Sequence, residues 1–302
     1  MKLTRRDFLA RTAIMSAVSA FPLRMAGMPS PQQIRFGYAS ITWNGNDQQA
    51  IEDISAVGFP GIQLRSNILP EYGPKPKALR SLLDAHHLTF VALSSGNIDI
   101  DADPASEVAK HADHAKFVQD AKGLYLQILD TRPKNRTIVR ADYEKLGALL
   151  TTLGKHTAEY GIPLGYHNHV GTLSENPEGL DWILAASDPR YVHLELDIAH
   201  YFQGGGDPVK AIEKYSDRLL FMHLKDVERL TSTGAAENHP YRFVELGRGQ
   251  ANVKAAMEAL KRVSFEGWAI VELDAVPDNA RTPKESAILN KNYIEQTLGY
   301  KV

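Results

Sequence analysis

Val192-His193-Leu194-Glu195-Leu196-Asp197 puts an apolar residue at every second position, ends on an acid, and is followed ten residues later by Asp207-Pro208. A two-residue period is that of a β-strand, and a proline at the first helical position behind an Asp cap marks a helix start. The same strand–helix unit recurs outward in both directions. Strands are expected at Ile34–Ala39, Gly61–Arg65, Thr89–Leu93, Leu124–Leu129, Pro163–His167, Val192–Asp197, Leu219–Leu224 and Ala269–Leu273. Helices are expected at Asp47–Val57, Pro76–His87, Pro104–Lys122, Asp142–Tyr160, Pro177–Ala186, Pro208–Tyr215, Asn252–Arg262 and Pro283–Leu298, several behind caps such as Asn176, Asp207 and Thr282. Alternating strands and helices imply a parallel sheet covered by helices. Eight units suit a closed (β/α)8 barrel, which typically takes about 250 residues. The rival is an open doubly wound sheet, but the turn after the first strand, Ser40–Asn46, has a single glycine and no phosphate-binding fingerprint. The expected fold is therefore α/β, one (β/α)8 TIM barrel over residues 30–302.

The N-terminus carries a separate signal. Thr4-Arg5-Arg6-Asp7-Phe8-Leu9 precedes a mild apolar stretch from Ala13 to Phe21, with small residues near Ala20 and Ala26. A charged start, a short apolar region and small residues describe a cleavable export signal over residues 1–26. The paired arginines resemble the twin-arginine signal of bacteria, which implies an exported, periplasmic enzyme. The alternative is a surface helix with two adjacent arginines. Loss of residues 1–26 would remove five basic residues against one acidic from a chain of net charge −2, leaving an acidic protein with no footprint for nucleic acid. There is no cysteine, so the fold has to rest on its core without disulfides.

In a barrel, side chains alternate between the interior and the helix layer, and catalytic groups gather at the C-terminal ends of the strands. Parity pairs His167 with His169, Glu195 with Asp197, His223 with Lys225, and Ile270 with Glu272. Four successive strands thus aim His167, Asp197, His223 and Glu272 at one mouth. Each alone has an ordinary reading: a hydrogen-bonded histidine, a turn-capping Asp, a Glu paired with arginine. Together they would be costly without a cation to neutralise them, so one divalent metal is expected. Imidazole with carboxylate suits manganese, the ion expected first, and also cobalt, iron or zinc; carboxylates admit magnesium as well.

These residues resemble the xylose-isomerase-like barrels, which include sugar epimerases, inosose dehydratase and 3-keto-sugar lyases, with endonuclease IV as a distant relative. The resemblance covers nearly the whole mature chain. It rests on Tyr166-His167-Asn168-His169, Leu196-Asp197-Ile198-Ala199-His200, His223-Leu224-Lys225-Asp226 with Arg229, Leu246-Gly247-Arg248-Gly249 and Gly267-Trp268-Ala269-Ile270-Val271-Glu272. Near the start, Gly37-Tyr38-Ala39-Ser40-Ile41-Thr42-Trp43 looks like the opening strand of the inosose dehydratase branch. The resemblance implies a metal held by one Asp, one His and two Glu. Asp197, His223 and Glu272 match three of these; the fourth departs, with His167 where the epimerases carry Glu. Gln63 is a second departure from many relatives. Loss of a carboxylate at a proposed base position argues against symmetrical epimerisation and brings the chain closer to the dehydratase and keto-sugar lyase branch.

The chemistry so implied is proton abstraction beside a carbonyl through a metal-stabilised enediolate. His167, Asp197, His223 and Glu272 would hold the ion, with Glu272 also placed to move a proton. His169 or Lys225 is the candidate base, Lys225 on condition that the metal depresses its pKa towards neutrality. His200, three residues after Asp197, would donate a proton to the departing oxygen. Gln127 and Arg229 would bind substrate hydroxyls, and Trp43 would offer a flat face to a sugar ring. Arg229 reads equally as a surface ion pair and Trp43 as a core aromatic, while Glu195 reads as a buried partner of a basic neighbour. The long polar segment Val227–Gly249 is expected as a lid or substrate-selecting loop, the alternative being a disordered excursion.

The leading function is elimination from a non-phosphorylated keto-sugar or inosose, with sugar isomerisation or epimerisation as runner-up. A nuclease would want several metals and a basic groove, and a non-catalytic carbohydrate-binding barrel would need no metal. The expected partner is a small carbohydrate, with no nucleic acid and no membrane after signal removal; a homo-oligomer stays open.

Overall fold

The computed structural model describes residues 33–230 and 240–302. The expected signal segment 1–26 and the tip of the polar excursion, 231–239, lie outside them. Eight parallel strands close into a barrel: β1 Ile34–Ala39, β2 Gly61–Arg65, β3 Thr89–Asp99, β4 Tyr125–Thr131, β5 Leu164–His167, β6 Val192–Asp197, β7 Leu219–Leu224 and β10 Gly267–Val271. Each pairs with its sequence neighbours around the ring, and β10 closes it against β1. The caps act as their residue types dictate. Asn176 Oδ1 accepts from Gly179 N at 2.8 Å, Asp207 Oδ1 from Val209 N at 2.9 Å, and Thr282 forms a reciprocal box with Glu285.

Strand parity divides the core in two. Ile62, Leu64, Leu126, Ile128, Leu194, Leu196 and Leu224 face the helices and are fully buried, each such side chain contributing about 1.5–3 kcal/mol by leaving water. The opposite parity fills the lower barrel with large rings. Tyr125 stacks on Phe221 with centroids 5.2 Å apart and planes 12° apart, and the Arg35 guanidinium covers Trp268 at 4.6 Å. Gly61 is what admits the Trp268 indole, since a Cβ there would overlap its six-membered ring. The apolar plug ends one layer below the strand termini, so the polar residues above it open to the mouth.

Several boundaries shift by a residue or two from expectation, and three of the differences have a clear structural content. β3 continues to Asp99 because its polar run Ser94–Asn97, which reads as a turn, is a bulge: the register shifts there, Gly96 takes φ +88°, and Asn97 Nδ2 donates to Asp130 O at 3.0 Å. β10 covers Gly267–Val271, so Glu272 sits just past its end, held by Glu272 N to Leu224 O at 3.1 Å. The last helix is α-helical over Pro283–Asn292 and then widens into a π turn, Tyr293–Thr297.

The polar excursion after β7 is built as a hairpin, β8 Asp226–Arg229 against β9 Tyr241–Val244. Its base is tied by one carboxylate. Asp226 accepts backbone N–H groups from Val227 and Ala251 at Oδ1 (2.9 and 3.0 Å) and from Gly247 and Gly249 at Oδ2 (2.9 Å each). Four donors on one buried acid fix the base of the hairpin. None of the described helices is long and apolar enough to cross a membrane.

Candidate active site

His167 ends β5, Asp197 ends β6, His223 is the penultimate residue of β7, and Glu272 follows β10. The first three are buried, and the Glu272 side chain is 11% exposed. Register explains the convergence, because Asp197 stands opposite His223 and His223 opposite Ile270, two residues before Glu272. His223 Nδ1 is 3.6 Å from Asp197 Oδ2 and 3.3 Å from Glu272 Oε2, and the His167 and His223 rings are 4.8 Å apart.

The orientation of these groups is fixed from behind. Asp197 Oδ1 accepts the N–H groups of Ala199 and His200, both at 2.8 Å, capping Ile198–Gln203 and leaving Oδ2 without a partner. Asn168 brackets the same residue across strands, Nδ2 donating to Asp197 O at 3.1 Å and Oδ1 accepting from Asp197 N at 2.9 Å. His223 Nε2 lies 2.7 Å from Gln63 Oε1 and 2.5 Å from Glu195 Oε1. Among the buried atoms left with no hydrogen-bond partner are His167 Nδ1, Asp197 Oδ2, His223 Nδ1 and both carboxylate oxygens of Glu195.

The His167, Asp197 and His223 atoms of this set fit a divalent ion. Ligand atoms of His167, Asp197 and His223 lie within 4.8 Å of one another. With metal–ligand bonds of about 2.1 Å, tetrahedral ligands sit about 3.4 Å apart, close to the 3.6 and 3.3 Å separating His223 Nδ1 from the two carboxylates. A second histidine group, His167, His169 and His200, meets the same distance criterion. It is less suited, because the Lys225 ammonium already lies 3.2 Å from His200 Nε2 and His169 Nδ1 is 2.6 Å from Val170 O.

The charges interlock. Burial lowers the His223 pKa, but the carboxylates of Glu195 and Glu272 outweigh it and raise it well above the ordinary value. Burial and the neighbouring imidazoles of His223 and His169 push His167 well below, so it is neutral. Burial and the Lys225 charge do the same to His200. Burial pushes the Glu195 carboxyl up to about 7. Glu272 is lowered, the penalty of burial being overcome by His223 and Lys225. Lys225 is fully buried, with Nζ 2.9 Å from Glu272 Oε1 and 2.5 Å from Asp274 Oδ1, beneath the Phe243 ring at 4.0 Å. Burial would lower its pKa, but Glu272, Asp274 and Asp197 raise it.

This corrects two expectations. Lys225 was expected as a base on condition that a metal lowers its pKa; the carboxylates of Glu272, Asp274 and Asp197 act in the opposite direction and raise it. His200 was expected to donate a proton, yet it is neutral, its Nδ1 faces Gln203 Oε1 at 3.2 Å, and its Nε2 accepts from Lys225.

A cavity of about 180 Å³ opens above these candidate ligands, lined among others by Arg65, Asn97, Gln127, His169, Glu272 and Asp274. Gln127 is buried there with Oε1 unpartnered. His169 turns Nδ1–H to Val170 O, which leaves Nε2 as an acceptor. Two expected substrate contacts are not brought to this cavity. Trp43 turns outward on a 3-10 turn, packs edge-on against Tyr38 at 5.7 Å and donates its indole N–H to Asp53 at 2.9 Å. Arg229 is exposed at the end of β8, with its guanidinium 6.0 Å from the Tyr241 ring. Conversely, Arg65, Asn168 and Asp274 were not singled out in the sequence. Arg65 shares parity with Gln63 and Asp274 with Glu272, a signal that could have found both.

Barrel and mouth together define the class, a (β/α)8-barrel enzyme. The chain belongs to the xylose isomerase-like TIM barrel family, whose model matches residues 51–292. It is 28% identical over 298 residues to the inosose dehydratase of Lacticaseibacillus casei, with 88% of this chain and 97% of that protein covered. Among solved structures it is similar to the IOLI protein with a binding zinc atom, at 18% identity and TM-score 0.74, covering 88% of this chain and 98% of that one. A D-tagatose 3-epimerase-like protein is also similar, at 18% identity and TM-score 0.69, covering 88% and 97%.

Proposed function

We propose that the chain is a divalent-metal-dependent carbon–oxygen lyase acting on a non-phosphorylated keto-sugar or inosose. His167, Asp197, His223 and Glu272 would hold the ion, manganese first, with cobalt, magnesium, iron and zinc as the other candidates. When bound, the ion supplies Lewis-acid polarisation of the substrate carbonyl and lowers the cost of the charge that develops there. The observation that carries the reading is the pairing of unlike groups around one cavity: an acceptor, His169 Nε2, and a charged donor, Lys225 Nζ, that reaches the wall through Asp274 at 2.5 Å.

His169 Nε2 takes the proton from the carbon next to the carbonyl. The electron pair released forms the new carbon–carbon double bond as the bond from the β-carbon to oxygen breaks. Asp274, on the cavity wall and partly exposed, carries a proton to that oxygen and regains one from solvent, while Lys225, 3.2 Å from His200 Nε2, stays protonated and holds the Asp274 carboxyl in place. The oxygen leaves as water or an alcohol, and an unsaturated ketone remains. Gln127 and Arg65 are placed to bind substrate hydroxyls. General acid and base groups of this kind contribute about 10²–10⁴-fold each. Likeness to inosose dehydratases supports elimination, and the structure with a binding zinc atom supports a metal. Likeness to an epimerase-like barrel keeps isomerisation or epimerisation as the second reading. The arginine-paired N-terminus supports export through the twin-arginine route to the periplasm.

Incubation with inososes and 3-keto-glycosides, followed by ultraviolet absorbance and NMR, tests this. Elimination gives an absorbing unsaturated ketone. Isomer alone, with solvent deuterium at carbon, favours the second reading and removes the first.

A further inference from the structure

Behind the four proposed metal ligands lies a buried carboxylate for which the proposed reaction has no use. Glu195 points into the barrel one layer below Asp197, and it is fully buried. Its Oε1 lies 2.5 Å from His223 Nε2, and its Oε2 lies 3.7 Å from His167 Nδ1. Gln63, from the far side of the barrel, brings Oε1 to 2.7 Å from the same His223 nitrogen.

We infer that Glu195, assisted by Gln63, is a positioning residue that fixes the His223 tautomer and so makes Nδ1 a metal ligand. An imidazole nitrogen facing two oxygen acceptors has to carry the hydrogen, and in a ring that binds an ion and has given up its second proton the other nitrogen bears the lone pair. That other nitrogen, Nδ1, is the one aimed at Asp197 Oδ2 and Glu272 Oε2 and left without a partner. The hydrogen bond on Nε2 is the one accepted by Gln63 Oε1, and the Glu195 carboxylate, 2.5 Å away without an aligned hydrogen bond, favours the hydrogen on that nitrogen through its charge. Metal-bound histidines are regularly oriented by such an outer carboxylate, and its removal typically costs about 10–100-fold in metal affinity. Glu195 therefore acts on the ion through His223 and has no contact with substrate.

The inference rests on the metal reading proposed above, and the experiment separates the two. Manganese and zinc affinities are measured by chelator competition for the full chain, E195L and E195Q, and the zinc-loaded wild type is examined by ¹⁵N NMR of its histidine rings. The expected results are a 10–100-fold loss in E195L, a smaller loss in E195Q, whose amide oxygen still faces Nε2, and a His223 ring bound through Nδ1 with hydrogen on Nε2. If E195L binds both ions as tightly as wild type, the positioning role is overturned while the metal reading stands. If E195L does not fold, the NMR spectrum decides, and hydrogen on Nδ1 with Nε2 bound overturns the inference. A wild type that takes neither ion overturns both.

Discussion

Lys225 and Glu272 form a largely buried ion pair at the barrel mouth, with Nζ 2.9 Å from Oε1, while the other oxygen of Glu272 lies 3.3 Å from His223 Nδ1. One carboxylate thus joins the proposed metal ligands to Lys225, which in turn holds the proposed proton donor, Asp274. Removing one partner of a buried pair leaves the other uncompensated, at a cost of about 3–5 kcal/mol. Lys225→Met is expected to lose that order of stability in urea unfolding. It should also lose about 10²–10⁴-fold in turnover.

Asp274 is the cavity-facing end of the same chain of groups. Asp274→Asn keeps the shape and removes the ability to carry a proton. Turnover is expected to fall by about 10²-fold or more, with metal content unchanged by elemental analysis. Loss of metal in this variant would move Asp274 into the ligand set.

Asn168 holds the ends of β5 and β6 together through Asp197. Asn168→Ala would leave a buried N–H and C=O unpaired, each costing about 1–3 kcal/mol. The expected outcome is a loss of at least about 2 kcal/mol in unfolding free energy together with weaker metal binding. Unchanged stability would mean that the strand ends do not need the bracket.

A pH effect is expected away from the mouth. Burial lowers the His111 pKa from 6.5 to about 4 in the folded chain. The unfolded chain therefore binds this proton first as pH falls. The stability it provides is fully present above pH 6.5 and is lost progressively between 6.5 and 4, by about 3 kcal/mol in all. Unfolding of His111→Gln followed across this window should show a flatter dependence than wild type.

The fold was legible because strand parity and helix caps are local: Val192–Asp197 displays its two faces in six residues, and Asn176, Asp207 and Thr282 cap the helices their residue types announce. The same parity brought His167, Asp197, His223 and Glu272 to one mouth. Trp43 read equally as a core aromatic and as a platform for a sugar ring, and the 3-10 turn that buries it against Tyr38 decides for the core. The protonation of Lys225 was out of reach for another reason: it is decided by Glu272 and Asp274, nearly fifty residues away in sequence. The excursion hairpin depends on Asp226 gathering N–H groups from Gly247, Gly249 and Ala251, again a contact between distant positions.

The central claim is a divalent ion held by strands β5, β6, β7 and the end of β10. Elemental analysis of the protein exported by its native route, beside His167→Ala, Asp197→Ala and His223→Ala, tests it most directly. The account predicts a divalent metal near one ion per chain in the wild type and a parallel loss of metal and activity in all three variants. Stoichiometric metal retained by all three would contradict it.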